Sequence, residues 1–300
     1  MSTEVEITRE PNIVRVTFGG TLFTEYHYAE ADRPYFYPVI GPTGRNVTRH
    51  WPMRDGENEE HDHEHHRSLW FVHGSANGHD FWTEGCGHRV VQKEIVEMSS
   101  GSGSGTLKTQ SEWVAQDGAV VCTDERSHTF YPVADGTLMD MAVTLIASHG
   151  PLVLGDTKEG TMAIRVAPTL RVDGPVAGGH IVNSEGLRDG EAWGKRAAWC
   201  AIYGPIEGET ICIALFDHPS NPRHPTWWHA RTYGLFAANP FGVHDFEQKP
   251  KGTGDLAVPA GHRVAFRYRF CFLKGTERDA RIAERYRDFI KPLTQPDAGA

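Results

Sequence analysis

Apolar and polar residues alternate with a period of two along most of the chain. Ile13-Val14-Arg15-Val16-Thr17-Phe18 shows it most clearly, followed by Gly19-Gly20 and a partner run over 21–28. A half-buried strand turns its side chains to opposite faces in succession, and two glycines between such strands close a hairpin. The same alternation predicts strands over 90–97, 107–114, 120–131, 137–148, 162–172, 198–216 and 263–273. Turn clusters separate them: Asp117-Gly118, Asp135-Gly136, Asp173-Gly174-Pro175, and the run Gly101-Ser102-Gly103-Ser104-Gly105, which reads as a flexible hairpin loop. One stretch departs from this pattern. Ile282, Ala283, Tyr286, Phe289 and Ile290 recur at helical spacing, Thr276 and Asp279 are spaced as a capping box, and Pro292 stops the run. The expectation is an all-β protein, a large antiparallel β-sandwich forming a single domain over 1–300, with a C-terminal helix over about 276–290.

Composition agrees with short strands and many turns, through 32 Gly, 18 Pro and 8 Trp. Against 30 Lys and Arg stand 39 Asp and Glu, a net charge of −9. Nucleic-acid binding asks for a basic stripe, so no nucleic-acid partner is expected. The longest apolar stretch, near 142–147, is far short of the roughly 20 residues a membrane helix needs, so no membrane role is expected. The first eleven residues lack the basic-then-apolar order of a secretion signal. Five scattered cysteines with no C-x-x-C pair fit a reducing cytoplasm.

The strongest chemical signal lies between residues 49 and 84. His61, His63, His65, His66 and His73 fall within thirteen residues, followed by Asp80, Trp82 and Glu84. Imidazole gains or loses a proton near neutral pH and is the commonest metal ligand. On an extended segment His61, His63 and His65 would share one face, His66 would point to the other, and Asp62 and Glu64 would face away from the first three. Zinc-protease spacing fails, because Arg67 stands where the second histidine belongs. The cupin pattern fails too, because Arg67 and Ser68 stand where its glutamate belongs. There is no nucleophile elbow, phosphate loop or dinucleotide fingerprint. The polar cluster runs directly into Leu69-Trp70-Phe71-Val72-His73, as a pocket rim does.

A second polar-aromatic cluster contains His218, Asn221, Arg223, Trp228, His229 and Asn239, with four prolines between 217 and 241. Those prolines predict an ordered long loop rather than a ladder. Indole faces stack on sugar rings while Arg, Asn and His bond hydroxyls; of Trp227 and Trp228, one is expected to cover the core and the other to line a pocket. A third segment, Gly155 to Arg165, places Glu159 at a strand start as a candidate general base, with Arg165 as an anion or hydroxyl clamp.

The segments Arg33-Pro34-Tyr35, 62–74, 77–82, 156–165 and 217–242 together resemble the soluble bacterial family labelled PmoA. The match covers roughly residues 28–272. The resemblance implies a role in sugar catabolism and a galactose-mutarotase-like supersandwich, in which a histidine and a glutamate act as general acid and base. The mutarotase motif is not cleanly present, so no role is carried over from it. The resulting expectation is a carbohydrate-active isomerase, lyase or hydrolase. His66 or His73 would work with Glu159, and His65, Arg67, Asp80, Trp82, Arg165, His218, Asn221, Arg223, Trp228, His229 and Asn239 would bind the substrate. A small-molecule carbohydrate is the expected partner, and the oligomeric state stays open. No cofactor is expected. A divalent metal held by His61, His63, His65 or His66 remains an alternative, as does a non-catalytic sugar-binding protein.

Overall fold

A computed structural model describes residues 3–291. Two large antiparallel sheets pack face to face. The nine-stranded sheet runs, edge to edge, Trp227–Ala230, Leu235–Asn239, Gly160–Arg165, Leu69–His73, Tyr35–Val39, Thr21–His27, Ile13–Phe18, Glu4–Glu10 and Gly101–Ser102. The eight-stranded sheet runs His180–Asn183, Trp199–Ile206, Glu209–Asp217, Arg263–Lys274, Gly136–Ile146, Val120–Val133, Gly105–Val114 and Arg89–Ser99. A small third sheet pairs Leu152–Leu154 with Leu256–Val258. The expected all-β sandwich is therefore what forms.

Side-chain alternation builds the core. Phe36 and Phe71 point inward from the first sheet and meet Phe130 and Phe266 of the second at ring distances of 6.1 and 5.6 Å. Burying such rings removes large apolar areas from water, each worth about 1.5–3 kcal/mol. The Gly19-Gly20 hairpin forms with φ of 54° and 77°, the left-handed pair that matches strand twist. The Gly-Ser run does connect two strands. Its Gly101–Ser102 portion also pairs with Glu4–Glu10, so one loop joins both sheets.

Four expectations change. The span 198–216 is two strands around a turn at Glu207-Gly208, and the strand expected over 162–172 ends at Arg165. The long loop expected over 217–241 holds a hairpin, Trp227–Ala230 with Leu235–Asn239, because its prolines cluster before Thr226 and leave the following backbone free to pair. The helix is shorter than expected, Ile282–Phe289. Thr276 and Asp279 do make the reciprocal capping bonds, at 2.7–3.3 Å. They close a separate turn, and Arg281 in the left-handed region (φ 52°) divides it from the helix. Pro292 lies outside the described residues. Among those residues no helix is long and apolar enough to cross a membrane.

Candidate functional site

The ladder register decides which side chains meet outside the sandwich. His229 pairs with Ala237, Ala237 with Ala163, Ala163 with Trp70, and Trp70 with Tyr35. Directly opposed residues share a face, so all of these project from the outer face of the nine-stranded sheet. Arg165, two residues from Ala163, projects with them. The two alanines leave the middle of this face low, and the 61–66 segment lies over it.

That segment is not extended. His63 takes φ 42°, and the His66 amide donates to the His63 carbonyl at 2.9 Å. The three-on-one-face arrangement expected for His61, His63 and His65 therefore does not occur. His61 turns away and stacks on Trp51 at 3.8 Å. The rings of His63, His65 and His66 cluster instead, 4.5–5.7 Å apart. His66 is fully buried against Trp70 and Trp82, at 5.5 and 5.9 Å. Among the described residues, no three His, Cys, Asp or Glu side chains are grouped so as to hold a metal ion.

Hydrogen bonds fix the state of two rings. Arg165 Nη1 donates to His66 Nδ1 at 3.2 Å. A guanidinium only donates, so the neutral His66 proton sits on Nε2. Asp62 does not face away, as expected, but accepts from His63 Nδ1 at 2.7 Å, leaving Nε2 as the exchangeable position. Arg49 and Arg165 hold the other side of Asp62, at 2.5 and 3.6 Å. Burial pushes the Asp62 carboxyl up, but Arg165, His63 and Arg49 outweigh it and hold it below its ordinary range. His63 also stacks on Tyr233 at 5.5 Å. A cleft of about 590 Å³ opens here, its lining including Asp62, His63, His65, Arg67 and Glu84.

Burial lowers the His66 pKa well below 6.5, with Arg165 adding to it. Burial and then Arg33 lower His65 to about 4. Glu159 moves the other way. Burial raises its pKa; Lys158 opposes this, while Asp80 and Asp245 add to it. The site therefore combines imidazoles kept neutral with a carboxyl inclined to hold its proton, the separation that acid–base chemistry uses.

The remaining expected site residues divide sharply. Trp82 packs beside His66. Asp80 accepts from the Trp82 and Thr83 amides at 2.7 and 3.1 Å and acts electrostatically on His65 and Glu159. Arg67 forms the rim through Glu84 at 2.8 Å. His229 joins the outer face and donates from Nδ1 to the Lys158 carbonyl at 2.8 Å, steadying the loop that carries Glu159. Asn239 braces the same loop through the Thr157 carbonyl at 2.8 Å. His73 stands on the inward face, fully buried, with Nε2 bonded to the Gly155 carbonyl and its ring 4.5 Å from Phe241. Trp228 is also inward, its indole donating to the Ala197 carbonyl. His218 packs on Phe289, Asn221 bonds Asp217 and Arg267, and Arg223 serves the carbonyls of Pro240, Gly254 and Asp255. These five, His73, Trp228, His218, Asn221 and Arg223, do not join the cluster. Sequence patterns single out neither the Asp62–His63 pair as a unit nor Trp193, while Tyr233 falls within the polar-aromatic cluster over 217–241. Adjacency of Asp and His was a usable signal for the first. Nothing near Trp193 marked it.

A family model described as DUF6807, a family of unknown function, matches residues 13–287. The chain belongs to DUF6807. This match replaces the PmoA label, which none of these comparisons carries. No curated protein matches the DUF6807 chain. Among solved structures it is similar to a galactose mutarotase-like protein from Lactobacillus casei, at 11% identity and TM-score 0.33, covering 89% of this chain and 99% of that one. It is also similar to a GalM/aldose epimerase homologue from C. elegans, at 8% identity and TM-score 0.32, covering 92% and 100%. Identities of this order transfer no residue roles to DUF6807, and its site stands on its own side chains.

Proposed function

We propose that the protein is a carbohydrate-active enzyme working by acid–base chemistry on the outer face of the nine-stranded sheet. The observation that carries this reading is His63, oriented by Asp62, together with a half-buried Glu159 whose carboxyl is pushed upward and which feels the His63 charge. One removes a proton from the substrate while the other delivers one, so the protons balance in an isomerase, lyase or hydrolase step. His66 serves as a fixed Nε2–H donor to a substrate oxygen rather than as a base, because Arg165 occupies its other nitrogen. Tyr233 supplies a ring face beside His63, and Arg231 lies over it and over Trp193. All five cysteines are free thiols, which supports a cytoplasmic location.

The test is a panel of mono- and disaccharides incubated with the purified protein and followed by NMR. Turnover is expected, with loss in Glu159→Gln and in His63→Gln at unchanged thermal stability. Saturable binding without turnover would replace the enzyme by a sugar-binding protein. Activity that is lost on chelation and restored by one divalent ion would favour the metal alternative.

A further inference from the structure

Five of the buried polar atoms that lack a partner form a group at this site. Arg33 Nε, His66 Nε2, Trp70 Nε1, Trp82 Nε1 and Arg165 Nε have none among the described residues. Their side chains are at most 1% exposed and form one contiguous group. The Arg33 guanidinium lies 5.7 Å from the Trp70 ring, Trp70 lies 5.2 Å from Trp82, His66 touches both indoles, and Arg165 bonds His66. Each of these atoms is a donor. Guanidinium and indole N–H groups only donate, and His66 Nε2 carries its proton for the reason given above. An unmade buried donor is costly, so a contiguous set of them selects a ligand rich in acceptors.

Two carboxylates beside this group are already engaged. Glu84 is shared between Arg33 and Arg67, at 3.3 and 2.8 Å, and Asp62 is shared between Arg49 and Arg165. Each carboxylate thus serves two guanidiniums. Arg231, over Tyr233 at 5.6 Å and Trp193 at 5.5 Å, makes no carboxylate ion pair among the described residues. The Tyr233 ring also carries Arg165, at 4.5 Å. A neutral sugar brings a donor with each hydroxyl, whereas an ionised carboxylate or phosphate brings mainly acceptors.

We propose that the substrate is a sugar bearing an anionic group, a carboxylate or a phosphate, seated by Arg165 and Arg231 with its other oxygens on the indole and imidazole donors. This rests on the carbohydrate reading above. The experiment compares D-glucuronate, D-glucose 6-phosphate and D-glucose by calorimetry and thermal shift, with wild type and Arg231→Gln. At least one anionic sugar is expected to bind about tenfold or more tighter than glucose, a preference that salt weakens. Which of the two does so distinguishes carboxylate from phosphate. Arg231→Gln, at an only half-buried position, is expected to cut that preference several-fold with the fold intact. Arg165→Lys should cut it further. Glucose bound as tightly as both anions, or a preference unchanged in Arg231→Gln, overturns the proposal. Glu159-dependent turnover of neutral sugars alone would overturn it while leaving the enzyme reading standing. No binding of any sugar would bring both down.

Discussion

The histidine segment around residues 61–66 and the proline-rich loop from Asp217 to His229 are both polar and rich in histidine, and they have opposite fates. In the loop, polar atoms are spent on the protein itself. Asp217 accepts from Asn221 Nδ2, His224 Nδ1 and the Thr226 amide at 2.7–2.9 Å, and Arg223 caps three carbonyls. In the segment, one nitrogen of His66 and one of His63 are fixed by Arg165 and Asp62. The opposite Nε2 positions bond to nothing else described for those rings. The first arrangement makes a rigid scaffold. The second makes a set of poised groups. Residue type does not distinguish them; what distinguishes them is how many of each side chain's bonds the fold uses up.

The comparison breaks first if chemistry fails to follow it. His63→Gln and Glu159→Gln should each lower turnover by about 10²–10⁴-fold. Because burial raises the Glu159 pKa, its ionised form weakens the fold above that pKa. Glu159→Gln should therefore leave the melting temperature unchanged or raised at pH 7. A melting temperature that falls with activity would make Glu159 part of the scaffold instead.

Asp217→Ala should do the reverse. It strands three donors and is expected to cost about 2–3 kcal/mol of stability, read by urea unfolding, with ligand affinity per folded molecule unchanged. A loss of affinity at full stability would place the loop in the site.

Acid offers a third test. Burial holds His73 and His229 to about 4 and His128 to about 3, against 6.5 in the unfolded chain. The unfolded chain binds protons first. The contribution of these rings is complete above pH 6.5 and falls as pH drops toward 4, by up to about 1.4 kcal/mol per pH unit for each. His128→Leu should flatten that slope without weakening the protein at pH 7, since neither His128 nitrogen has a partner to lose. The smallest effect is expected for His218→Ala, which removes an exposed bond to Ser220 and a contact with Phe289. Stability should change by about 0.5 kcal/mol or less, and turnover not at all.

Strand periodicity made the sandwich legible, and two residues singled out from the sequence, His66 and Arg165, meet on the outer face of the nine-stranded sheet. Two things were not legible. Whether His73 points inward or outward is a matter of parity within Leu69–His73, and a fully buried strand has no alternation to read. The curl at His63 comes from a left-handed residue that its neighbours in sequence do not announce, and that curl brings His63 beside His66. Trp193 was invisible for a different reason: only the register of Trp227–Ala230 brings His229 within 6.3 Å of it.

The pairing of His73 with Gly160, and of Met162 with Ala238, has a kinetic side. The outer face is assembled from stretches near residues 35, 62–82, 159–165, 193 and 229–237, which no local hairpin brings together. Each distant closure spends chain entropy before the contacts that reward it exist, so such pairings form slowly. Local hairpins such as the one across Gly19-Gly20 can appear while this face is still missing. In a refolding experiment, far-UV signal should therefore recover ahead of ligand-binding competence, and a newly made chain would spend an interval structured but unable to bind its ligand.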